Sequence, residues 1–116
     1  MPRSRVPSLL LVTPYLADAN NGNWRTAARW ARLLAPHYRV IVQAGTDSVT
    51  QGRARDAVAL IALHARRSHA AVTAWQRAFP ERATIVALTG TDLYKDLPAG
   101  DASARSTLAC ADALIV

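Results

Sequence analysis

The chain has one cysteine, one lysine and no apolar run long enough to cross a membrane. Each shortage excludes something. A lone Cys110 rules out a disulfide within the chain and leaves no ligand set for a structural zinc site. That fits a reducing, cytoplasmic setting. The longest apolar runs fall far short of the ~18 residues of a membrane span, so no membrane partner is expected. A short leader-like start (Arg3, Arg5, then Leu9 to Val12) is broken by Pro14 and is too short for a secretory signal. No basic run is interleaved with aromatics, which argues against nucleic acid. There is no Walker loop and no GxGxxG fingerprint. Nucleophile elbow, carboxylate pair and metal-ligand cluster are likewise missing, as are internal repeats and low-complexity segments.

What is present is a basic, apolar-rich chain. The 116 residues carry a net charge of +6, and 51% of them are hydrophobic, enough for one domain with a single packed core. The positive charge is nearly all arginine. It suits an anionic ligand or nucleic acid, but Arg25, Arg29 and Arg32 have helix-surface spacing and read as a solvated face.

Strands and helices alternate. Ser8 to Thr13 is a continuous apolar run bounded by prolines, the pattern of a strand buried on both faces. The stretch Pro14 to Trp24 follows as a strand-to-helix loop. Asn23 is a good N-cap for a helix over Trp24 to Leu34, with Trp24, Ala27, Ala28, Ala31 and Leu34 on one side. Pro36 stops it. Further strands are expected at Tyr38 to Gln43, Ala57 to Leu63, Ala83 to Leu88 and Ala113 to Val116. The polar stretch Ala44 to Arg55 is too short for a regular crossover helix. Ser68 can cap a helix running to Phe79, with Val72, Trp75 and Phe79 as its core stripe, and Asp101 opens a last helix through about Cys110. Cys110 reads as a small buried apolar residue, and His37 and His69 as surface residues.

This alternation predicts an α/β, Rossmann-like three-layer domain with a parallel sheet. The short second connection implies that the third strand returns to the other side of the first, giving the order 2-1-3-4-5. Ligands of such sheets bind at the carboxyl ends of strands, where the order reverses. Three polar loops gather there.

The first loop holds Asn21, Gly22 and Asn23, with close backbone approach at the glycine and free N–H groups at the following helix; an ordinary Asn/Gly turn with a cap is the plainer reading. The second holds His64, Arg66 and Arg67. Paired arginines suit an oxyanion through bidentate hydrogen bonds. His64 could bond a sugar hydroxyl or a phosphate, or be a satisfied histidine at a strand end, and one arginine is expected in a surface salt bridge. The third holds Gly90, Thr91, Asp92 and Lys95. Asp92 is either a helix cap or a hydroxyl or base contact, and Lys95 a phosphate contact or plain surface. Spacing alone assigns no catalytic role to Asp18, Asp92 or Asp96.

Three stretches carry a family resemblance: Ala17-Asp18-Ala19-Asn20-Asn21-Gly22-Asn23-Trp24, Ala62-Leu63-His64-Ala65-Arg66-Arg67-Ser68 and Leu88-Thr89-Gly90-Thr91-Asp92-Leu93-Tyr94. In their order along the strands the chain resembles the N-terminal domain of GT-B glycosyltransferases, and within it the selenosugar synthase branch of selenoneine biosynthesis. The resemblance spans nearly the whole chain. It implies metal-independent transfer of a sugar from a UDP-sugar to selenophosphate. It also implies that residues 1–116 form the acceptor-side domain, the truncated front of a longer protein, and that a C-terminal domain holding the nucleotide is missing from this chain. A fragment of that kind is expected to be inactive alone. Two other readings stay open: a glycosyltransferase with an ordinary hydroxyl acceptor, and a non-enzymatic α/β module that binds a phosphorylated ligand.

Overall fold

The computed structural model describes residues 6–14, 22–44 and 47–116. Five strands form one sheet in the order β2-β1-β3-β4-β5, and every neighbouring pair is parallel. They are β1 (Ser8–Thr13), β2 (Arg39–Ala44), β3 (Ala57–Leu63), β4 (Ala83–Ala87) and β5 (Ala113–Ile115). Three α-helices, α1 (Gly22–Leu34), α2 (His69–Ala78) and α3 (Ala102–Cys110), complete a three-layer domain. Among the described residues no helix is long and apolar enough to cross a membrane.

The central strands are apolar without a break because both their faces are covered. All six residues of β1 are buried, and in β3 only Val58 is exposed. Side chains alternate between two cores. On one face Leu10, Val12, Leu60, Ala62 and Val86 pack with Val72 and Trp75 of α2 and Ala104 of α3. Val49 and Ala54, from two short 3-10 turns in the β2–β3 connection, join the same core. On the other face Leu9, Leu11, Ala59, Ile61 and Leu63 pack with Ala27, Trp30, Ala31 and Leu34 of α1. The β1–β2 link thus runs over one face and the β2–β3 link over the other. That is how the chain places β2 and β3 on opposite sides of β1.

Phe79 meets Trp75 edge to face at 4.9 Å between ring centroids. The Arg82 guanidinium lies over the Phe79 ring at 4.0 Å and donates to the Ala57 carbonyl at 3.0 Å. The arginine therefore closes the amino-end edge of the sheet as packing surface and as donor.

Several local expectations are corrected. Helix α1 begins at Gly22, so Asn23 is its second residue rather than its cap; a cap needs non-helical backbone. Ser68 precedes α2, but its hydroxyl makes no cap bond to the helix and donates back to the Leu63 carbonyl. Asp101 does cap α3, accepting from the Ala104 amide at 2.8 Å. Cys110 is exposed, because the inward stripe of α3 runs through Ala104, Thr107 and Leu108 and leaves position 110 off it. His69 is half-buried and its Nδ1 lies 3.0 Å from Thr107 Oγ1, which ties α2 to α3.

Candidate functional site

The loops after β3 and β4 meet at the carboxyl end of the sheet. The Ala87 carbonyl accepts from the His64 amide at 2.9 Å, extending the ladder one residue past β3. At His64 the backbone then turns into the left-handed region, with φ 78°. Histidine pays for that conformation in steric strain that glycine would not. Surrounding contacts hold it there.

The Asp92 carboxylate is the main anchor. Its Oδ2 accepts from the Ala65 amide at 2.8 Å. Its Oδ1 accepts from the amides of Thr89, Gly90 and Leu93 at 3.0, 2.9 and 2.9 Å. Asp92 is fully buried, and it opens a single π-type turn, Asp92–Asp96. Gly90 has φ 141°, a conformation closed to other residues in practice, and it lets the amides of Thr89, Gly90 and Leu93 converge on one oxygen. Thr91 holds the cap position of the π turn and Asp92 is its first residue, so Asp92 is not a helix cap; its carboxylate gathers backbone amides from two loops instead.

His64 is 1% exposed. Its Nδ1 accepts from the Arg67 amide at 3.0 Å, and its Nε2 lies 2.7 Å from Thr91 Oγ1. Burial lowers the His64 pKa below its ordinary 6.5; Asp92 and Asp96 pull it up, while Arg67 and Arg66 push it down further. Asp96, at the far end of the π turn, is buried, with Oδ2 3.8 Å from His64 Nε2 and 3.0 Å from Arg66 Nε. Arg66 is thus held in an ion pair with Asp96. Arg67, Thr91, Tyr94 and Lys95 are exposed, Tyr94 at 80%.

The first loop contributes less that can be described. Asn21 lies outside the described residues. Gly22 is exposed at the start of α1, and a methyl group there would meet nothing within 4 Å, so close approach is not forced by crowding. The Asn23 Oδ1 is enclosed and has no hydrogen-bond partner among the described residues. The structure brings His64, Arg66, Thr91 and Asp92 together, and places Arg67 beside them through its amide. Gly90 shapes the turn. Lys95 stays on the outer surface.

Asp96 is the residue to which the sequence alone gave no role. A signal was available: Asp92 and Asp96 are four apart, so a helical turn puts both on one side. Chemically, the cluster offers an imidazole and an exposed hydroxyl at the strand ends, with Arg67 and Lys95 exposed on the same two loops, which suits an anionic or hydroxyl-rich ligand. Comparison with protein-family models and with curated proteins gives no match for this chain.

Proposed function

We propose that this domain is the acceptor side of a GT-B-type glycosyltransferase that moves a sugar from a UDP-sugar to selenophosphate, making a selenosugar. The resemblance of the three loop stretches motivates the reading. The observation that carries it is the coupling of two of those loops: His64, buried and left-handed, reaches Thr91 at 2.7 Å, with Arg67 and Lys95 exposed on the same loops. A site for an anionic acceptor needs positive charge near a preorganised donor set.

The proposed reaction forms a selenium–carbon bond as the bond from the anomeric carbon to the UDP oxygen breaks. UDP leaves with the electron pair. Selenophosphate is a strong nucleophile as it stands, so no protein base is required to activate it. The nucleotide would be held by a second α/β domain. A selenium nucleophile survives in a reducing compartment, which accords with the cytoplasmic setting proposed from cysteine usage.

The test uses the product of the complete reading frame. UDP release is measured with a UDP-sugar and either selenophosphate or hydroxyl acceptors, and the product is weighed by mass spectrometry. Selenophosphate-dependent UDP release with a selenium-containing sugar is the expected result. Turnover only with a hydroxyl acceptor would replace this reading by that of an ordinary glycosyltransferase. A lack of transfer to any acceptor would leave a ligand-binding module.

A further inference from the structure

The hydrogen-bond polarity of the His64 cluster can be assigned from one fact. A backbone N–H can only donate, so the Arg67 amide, 3.0 Å from His64 Nδ1, requires a lone pair on that nitrogen. The neutral ring then carries its proton on Nε2. Nε2 is 2.7 Å from Thr91 Oγ1 and 3.8 Å from Asp96 Oδ2. The short contact takes the proton, so Thr91 is the acceptor. Asp96 Oδ2 lies closer to Arg66 Nε, at 3.0 Å, an ion pair without aligned hydrogen-bond geometry.

A threonine hydroxyl whose oxygen accepts from histidine keeps its own proton for something else. Thr91 is exposed, and among the described residues its hydroxyl has no other hydrogen-bond partner. Its position is held from both sides. Gly90 before it and Asp92 after it belong to the turn that closes on the Asp92 carboxylate. Arg67 and Lys95 are exposed on the same two loops.

We infer that Thr91 is a ligand-contacting donor, its proton aimed outward because His64 occupies its acceptor side, and that the atom it meets is an anionic oxygen of the phosphate class. His64 is then a positioning residue: it sets the direction of a neighbouring hydroxyl and does not itself touch the ligand. The relay runs from the Arg67 amide through the imidazole to the threonine hydroxyl and outward. Each donor in it polarises the next. The inference rests on the proposed function for the presence of a ligand at this crevice, and not for the direction of the proton.

The test has two arms on the folded protein. In the first, imidazole-15N-labelled protein is observed by two-bond proton–nitrogen correlation near pH 7.5. The expected pattern puts the His64 proton on Nε2. A proton on Nδ1 overturns the relay. In the second, inorganic phosphate is titrated against wild type, Thr91→Val and Thr91→Ser, following the same ring signals. Loss of a hydrogen bond to a charged oxygen should weaken phosphate binding about 10- to 100-fold in Thr91→Val. Thr91→Ser should stay within about threefold of wild type, since it restores the donor. Equal phosphate affinity in wild type and Thr91→Val, or no phosphate binding by wild type, overturns the assignment. Absence of sugar transfer with both arms as expected would instead remove the transferase reading and leave the direction of the hydroxyl standing.

Discussion

The Asp92 carboxylate and the Ala65 amide are 27 residues apart in the chain and 2.8 Å apart in space. That bond joins the loop after β3 to the loop after β4. Three more amides close on the other oxygen of the same carboxylate. A buried acceptor satisfied four times is expensive to remove, because each enclosed amide left behind carries its own desolvation cost. Asp92→Ala should therefore lower stability by about 3–5 kcal/mol, and Asp92→Asn, which keeps one carbonyl oxygen, by about 1–2 kcal/mol. Urea unfolding of the two variants measures this. Equal, small losses would show that the carboxylate anchors neither loop.

Gly90 has open space around an added methyl group but a backbone angle, φ 141°, that L-residues avoid. Gly90→Ala is thus a test of strain separated from crowding. It should cost about 1–3 kcal/mol and displace Thr91, so ligand binding falls along with the melting temperature. A variant as stable as wild type would mean that the turn relaxes freely.

His64 provides a pH signature. Burial holds its folded-state pKa below the ordinary 6.5. The unfolded chain therefore takes up a proton near pH 6.5 that the folded protein still refuses. The associated stability is complete above that pH and is lost as pH falls toward the folded value. His64→Gln lacks this component. The stability difference between wild type and variant, read by urea unfolding at pH 7.5 and 5.5, should shrink on acidification. A constant difference would sink the claim.

Asp96 and Arg66 should move that titration in opposite directions. Asp96 raises the His64 pKa and Arg66 lowers it. Asp96→Asn should thus shift the His64 midpoint further down, and Arg66→Ala should shift it up. Proton NMR of the ring C–H signals follows both. Two shifts of the same sign would contradict the placement of the pair beside the ring.

Much of the fold was readable. The apolar runs at Ser8–Thr13 and Ala57–Leu63 are strands with those bounds, because a strand covered on both faces leaves no polar position to blur its ends. The strand order followed from the short β2–β3 connection. Caps were read less well. Asn23 and Ser68 have the right chemistry, yet α1 begins before Asn23 and Ser68 turns its hydroxyl to Leu63. Residue type says what a side chain can bond to, while the choice among partners is made by tertiary packing. Trp30, packed in the α1 core, was outside the expected stripe of that helix for the same reason.

The loops of the site were also readable, since the strand order alone brings them to one edge. Which groups pair within them was not. Nothing in the string His-Ala-Arg-Arg-Ser announces a left-handed histidine. Arg66 and Arg67 look equivalent there, whereas one sits 3.0 Å from a buried carboxylate and the other sends its amide to the imidazole. Those distinctions depend on residues 25 to 32 positions later, where the π turn brings Asp92 and Asp96 back under the second loop.

The two cores do not divide the site between them. Helix α1 is seated on the Leu9, Leu11 and Ile61 face, and Leu63 and Ala87, the last residues of β3 and β4, lie in that same core. Leu10, Leu60 and Trp75 support the strands from the other face. Trimming Trp30 in α1 should therefore be felt at His64, through Leu63 on its own strand and through Ala87, whose carbonyl accepts from the His64 amide. A change in one helix reaches the loop-bearing strand ends without touching a binding group.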